Sequence, residues 1–241
     1  MSIKEKLEVI TDKIYEKGKK DESSQFWDVF QNNGKRVDYM QAFGVNSGTG
    51  AYNDTNFKPK YDIKPTNATN MFRRSKINKL KETLESCGIV LDTSNCSNCN
   101  YMFQTCSELT HVPTMNFTNC STLAGTFTYC VNLETIDKII LSTSGATSFE
   151  NTFYSNNSLV NVEFEGVIGK SISFASSPLS VESMDSIISH LKNYSGTSDA
   201  MKYTLTFNSD CWTRLNASEL PDGFDAWQKY VNSLGWIDGV A

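Results

Sequence analysis

The chain has 241 residues, a formal net charge of −5, 12% aromatic residues and seven cysteines. That length supports a sizeable core and the aromatic content excludes a disordered tail; the acidic balance, with Lys17, Lys19 and Lys20 as the one short basic run, excludes a nucleic-acid patch. No apolar run reaches the roughly 18–20 residues that span a bilayer, so no membrane insertion is expected.

The opening MSIKEKLEVITDKIYEKGKKDE alternates in charge and lacks an unbroken hydrophobic stretch, which argues against a secretion signal. On that reading the thiols are reduced, and their odd number leaves at least one without an intrachain partner. Ile3, Leu7, Ile10 and Ile14 are spaced by four, three and four residues, a seam lasting two heptads. So short a seam does not sustain a coiled coil in water. The helix is therefore expected to pack on its own domain or to dock and oligomerise in an assembly, a homotrimer among the options. A second helix is predicted around ESSQFWDVFQNNG, with Phe26, Trp27 and Phe30 as its apolar face and Gly34 as its stop. Residues 1–35 are thus expected to be a helical docking or oligomerisation segment. Lys35 to Pro65 is rich in Gly, Asn and Asp and reads as irregular, anchored by Phe43 and Phe57.

From there a pattern recurs. LDTSNCSNCNYMF, MNFTNCSTLAGTF and LSTSGATSFENTF end at Phe103, Phe127 and Phe153, with looser copies ending at Phe72 and Phe174. The third residue after each phenylalanine is small or polar: Ser75, Cys106, Cys130, Asn156 and Ser177. Leu109, Leu133 and Leu159 each follow their phenylalanine by six residues, and Ile77 follows Phe72 by five. Phenylalanine spacings of 31, 24, 26 and 21 residues suit coils that stack and bury one another's apolar edge. The longest spacing contains INKLKETLESCG, where Ile77, Leu80 and Leu84 are at helical spacing and Gly88 supplies a stop. The fold expected for residues 36–179 is an α/β repeat, a short leucine-rich-repeat-like solenoid of four to five irregular coils with short parallel strands. N-terminal helices would close one end. An α/β C-terminal cap over 180–241 would close the other, with a helix capped by Ser180, a strand in KYTLTF and a last helix carrying Phe224, Trp227, Val231 and Leu234.

Cys96 and Cys120 each precede a phenylalanine by seven residues, and Cys106 and Cys130 each follow one by three. This register favours columns of small buried thiols over a zinc site. Cys96 and Cys99 have C-x2-C spacing but no second such pair, and His111 and His190 are not near one. No metal or other cofactor is expected. Among the abundant Asn, Ser and Thr, Asn95 and Asn119 are predicted to turn inward and bond the backbone of irregular turns. No enzyme is expected either. His111 reads as outward-pointing and His190 as a surface residue, no phosphate-binding or metalloprotease motif occurs, and Glu163 and Glu165 share one side of a strand as ordinary surface charges. Tyr129 and Tyr154 are candidates for an aromatic binding face, although half-buried neighbours of the core are the preferred reading.

The units NMFRRSKI, YMFQTCSELTHV, TFTYCVNLETI and TFYSNNSLVNV resemble BspA-type leucine-rich repeats, common in surface proteins of Firmicutes and Bacteroidetes. The opening KIYEKGKKDESSQFWDVFQNNGKRVDYMQAF, with NDTNFKPKYDI after it, is similar to tail-associated proteins of Firmicutes phages and prophages. The resemblance implies attachment or particle architecture rather than catalysis. The expected role is a virion tail component, assembled in the bacterial cytoplasm, that contacts other tail proteins through its N-terminal helices and a cell-surface glycan or protein through its solenoid. A BspA-like adhesion module on the bacterial surface is the alternative, and a wall-polysaccharide-degrading tail enzyme a weaker one.

Overall fold

A computed structural model describes residues 31–32, 35–36, 38–44 and 52–241. The seam of Ile3, Leu7, Ile10 and Ile14, and the helix predicted around Phe26, Trp27 and Phe30, lie outside the described residues. Within them the chain forms helix α1 (Leu80–Cys87), strands β1 (His111–Val112), β2 (Met115–Asn116), β3 (Thr135–Ile140), β4 (Asn161–Glu165) and β5 (Ile172–Phe174), then α2 (Val181–Ser189), β6 (Thr204–Phe207), α3 (Ser209–Asn216), α4 (Trp227–Ser233) and β7 (Ile237–Val240).

These elements make a mixed α/β domain with two parallel sheets. In the first, β3 is flanked by β1 and β2 and also pairs with β4; in the second, the order is β5-β6-β7. This corrects the expected leucine-rich-repeat-like solenoid of four to five coils. A coil stack needs one strand per coil along a continuous edge. Here β1 and β2 come from one short stretch, interrupted at Pro113, which has no N–H to give, and both dock on β3. The segments around Phe72 and Phe103 contribute only isolated bridges such as Asn67 to Asn98. The strand ladder ends at Glu165 and, after an isolated bridge of Ile168 to Leu191, resumes at Ile172 with a different partner, β6, while four helices lie among the described residues.

Local chemistry explains the helices. Gly88 takes the left-handed conformation that ends α1 (φ 66°), and the Asp54 carboxylate accepts from the amides of Asn78 and Lys79 and the hydroxyl of Thr83, in place of a side-chain cap. The Ser180 hydroxyl caps α2 by accepting from Ser183 N–H, and Asn208 caps α3 through Cys211 N–H. Phe224 precedes α4 rather than lying on it.

One cluster of buried residues runs from Tyr39 to Trp236. Its spine is a row of phenylalanines. Phe72 and Phe103 have ring centroids 5.2 Å apart and nearly parallel planes (3°), as do Phe103 and Phe127 at 5.5 Å (4°) and Phe127 and Phe153 at 5.8 Å (14°). Phe174 follows Phe153 at 4.5 Å and Phe207 follows Phe174 at 6.1 Å; at the other end Phe43 lies 5.1 Å from Phe72. Fully burying each ring contributes on the order of 1.5–3 kcal/mol, with about 0.5–1.5 kcal/mol more per ring pair.

From Phe72 to Phe153 this row is carried by turns rather than strands. Phe103 N–H donates to the Thr126 carbonyl of the next turn, with Tyr101 to Ala124 and Thr105 to Thr128 on either side. Alternate amides bond within their own turn: Met102 to Cys99, Gln104 to Tyr101 and Cys106 to Phe103. Each turn closes with left-handed residues two before and two after its phenylalanine: Asn70 and Arg74, Tyr101 and Thr105, Gly125 and Tyr129, Asn151 and Ser155. Buried side chains satisfy the carbonyls left over. Thr126 donates to Cys99 O, Thr147 to Cys120 O and Thr152 to Leu123 O, while Thr93 donates to Asn116 O. Asn95 and Asn119, expected to face inward, are exposed, although the Asn119 amide does bond backbone, donating to Ser94 O of the preceding turn at 2.6 Å. Asn67, Asn98 and Asn116 make the local turn bonds, each accepting from the amide two residues on.

Candidate binding face

Tyr129 and Tyr154 are 47% and 52% exposed, so about half of each side chain is covered and the other half faces solvent. Their rings meet edge to face at 5.4 Å, and Tyr129 N–H donates to the Tyr154 carbonyl. A third tyrosine, Tyr101, is 42% exposed on the preceding turn, its ring over Gly125 so closely that a Cβ there would stand 2.4 Å from two ring carbons. Tyr101 and Tyr129 hold left-handed backbone at φ 57° and 60°. That conformation disfavours a bulky L-residue by about 1–2 kcal/mol.

Beside Tyr154 lies a hollow of about 70 Å³. Asn151, Ser173, Ser176, Phe149 and Phe153 are among its lining residues, none of which is charged. The sequence singled out Tyr129 and Tyr154 but missed Tyr101 and the hollow. One signal for Tyr101 was present: it sits two before Phe103, where the next turn has Gly125.

The other expected residues occupy distinct places. Phe72, Phe103, Phe127, Phe153, Phe174, Leu109, Leu133 and Leu159 are buried. Cys106 donates its thiol to Phe72 O at 2.9 Å and Cys130 to Phe103 O at 3.0 Å. Burial pushes the Cys106 thiol up to about 12 and Cys130 well above the usual thiol range, so both are inert at neutral pH. Cys96, Cys99 and Cys120 come together with their Sγ atoms within 4.8 Å of one another. Hydrogen bonding from Cys120 and Cys99 lowers the Cys96 thiol.

His111 is held between carboxylates: Nε2 is 2.6 Å from Asp137 Oδ1 and Nδ1 is 3.7 Å from Glu82, while Lys81 Nζ reaches Asp137 Oδ2 at 2.8 Å. Partial burial pushes the Asp137 carboxyl up, but hydrogen bonds from Lys81 and His111 outweigh it and hold it below its ordinary value. His190 Nδ1 donates to Ser186 O and closes the last turn of α2. Glu163 and Glu165 share the exposed face of β4, where Lys138 bridges them at 3.2 and 3.6 Å.

The arrangement defines an α/β domain with an exposed aromatic face beside an uncharged, hydroxyl-bearing hollow. Comparisons with protein-family models, curated proteins and solved structures found no match. No helix among the described residues is long and apolar enough to cross a membrane.

Proposed function

We propose that this chain is a non-enzymatic, tail-associated attachment protein that holds a bacterial cell-surface glycan on the face of Tyr101, Tyr129 and Tyr154. The observation that carries the reading is the exposure of the Tyr129 and Tyr154 rings, which meet edge to face, with Tyr154 lining the hollow together with Asn151, Ser173 and Ser176 and Tyr101 exposed on the preceding turn. Sugar rings present apolar C–H faces bordered by hydroxyls, and this site offers aromatic surface bordered by amide and hydroxyl partners without a fixed charge. Glu163 and Glu165, the paired carboxylates a hydrolytic role would use, lie on the exposed face of β4 bridged by Lys138. The tail assignment rests on the sequence resemblance, with the seam of Ile3, Leu7, Ile10 and Ile14 as its docking element.

Binding of purified cell-wall polysaccharide by the full chain and by the Tyr129→Ala/Tyr154→Ala variant tests the reading. The expected loss is tenfold or more, about 1.4 kcal/mol, the scale of an interface anchor. Equal binding by both proteins overturns the glycan site. Sedimentation with and without residues 1–20 tests the docking element, which is overturned by a monomer in both cases that also fails to bind tail particles.

A further inference from the structure

The cysteine columns do not account for Cys99, which lies within the turn that carries Phe103. Cys96 and Cys120 hold equivalent places seven residues before Phe103 and Phe127. Cys99 lies four before its phenylalanine, where the other turns place Ala68, Leu123 and Phe149, all buried and apolar. A single apolar side chain there would complete the packing. A cysteine instead converts a pair of neighbouring thiols into a triad.

The triad is preformed. Its three thiols are free and buried, Cys99 and Cys120 approach to 3.2 Å between sulfurs, and all three sulfurs lie within 4.8 Å of one another. It is held by structure on two successive turns: Cys96 N–H donates to Thr93 O, the Cys99 carbonyl accepts from Thr126, and the Cys120 carbonyl accepts from Thr147. With metal–sulfur bonds of about 2.3 Å, three sulfurs around a central ion stand about 4 Å apart, so the contact of Cys99 with Cys120 need open by only about 0.8 Å.

Ligand type and number then select the ion. Thiolates prefer soft metals. Zinc in a closed structural site takes four ligands, yet among the described residues no further cysteine, histidine or carboxylate joins this group. We propose that Cys96, Cys99 and Cys120 form a three-coordinate site for a soft monovalent ion of the Cu(I) class. Copper enters and stays as Cu(I), so no electron is transferred; each thiol that ligates as thiolate releases its proton to solvent. This site is independent of the tyrosine face.

The test is anaerobic titration of the reduced full chain with Cu(I) against a chromophoric Cu(I) chelator. It is repeated on Cys99→Ala, which restores the residue type of Ala68, and on Cys106→Ala as a control. The expected result is one ion held per chain by wild type and by Cys106→Ala, a raised melting temperature on loading, and loss of the site in Cys99→Ala. X-ray absorption of the loaded wild type keeps the test decisive if a variant fails to fold, with three sulfur neighbours expected. Retention by a folded Cys99→Ala, two sulfur neighbours, no competition with the chelator, or preferential four-coordinate zinc binding overturns the proposal.

Discussion

The phenylalanine row passes through two regions that solve one problem differently. Between Phe72 and Phe153 the rings sit on turns, with paired left-handed residues and amides that alternate between the home turn and the next. At Phe174 and Phe207 they sit on strands β5 and β6, paired in parallel register, and the left-handed positions disappear from the segments that carry them. The ring column continues through both, stacked nearly parallel on the turns and tilted by 47° between Phe174 and Phe207, so packing of the aromatic column, rather than one kind of backbone, is the common element. Turns do what strands do not: they place a side chain at a corner, and the exposed Tyr101 and Tyr129 occupy such corners.

The largest expected effect breaks the column itself. Phe127→Ala in the turn region and Phe207→Ala in the sheet should each cost about 3–5 kcal/mol in denaturant unfolding. A much smaller loss at Phe207 would show that the two regions do not share one cooperative core. Next comes Gly125→Ala. It places a side chain at φ +61° and against the Tyr101 ring, so a loss of about 1–2 kcal/mol is expected together with weaker glycan binding. Unchanged stability would dissolve the contrast between corners and strands. Smaller still, Tyr129→Asn exchanges a bulky left-handed residue for one that tolerates the conformation; stability should stay level or rise by up to about 1 kcal/mol while binding falls. A clear loss of stability would mean that the ring packs more than it binds.

The smallest effect is in acid and lies on the first sheet, away from the corners. Asp137 titrates below its ordinary 3.8 in the folded chain, so its contribution to stability is complete above that value and disappears as pH falls through the lowered one. Asp137→Asn should therefore flatten the acid side of a plot of melting temperature against pH and leave its slope at neutral pH unchanged. An identical acid limb in both proteins would remove the role assigned to the contacts with Lys81 and His111.

The phenylalanine row was legible because ring, small residue and leucine recur at fixed offsets, and each offset becomes a buried contact. The architecture was not. Nothing in HVPTMN announces that two strands of two residues, split by Pro113, dock on the same partner. The break between Glu165 and Ile172 depends on which distant segment offers an edge. Helix α3 and strand β7 escaped notice because Cys211, Trp212 and Leu215 give barely one turn of periodicity, and IDGV has an exposed, glycine-containing pattern. At the candidate site, the identity of Tyr129 and Tyr154 was readable, but the backbone of Tyr129 was not, since left-handed backbone at a tyrosine runs against its own preference. The thiol triad was half visible: its C-x2-C spacing stood out, whereas the third sulfur arrives from the following turn.

The bonding between turns also fixes where the chain tolerates a change of length. Phe72 to Phe103 encloses 31 residues, with α1 among them, and Phe103 to Phe127 only 24, yet the same three amides cross each junction. Insertions are therefore admissible in the connecting arcs, whose contour is free to swell into a helix or shrink to a short link. A single added residue among the five centred on a phenylalanine would throw donors and acceptors out of step, turning the amides that now reach the next turn toward solvent.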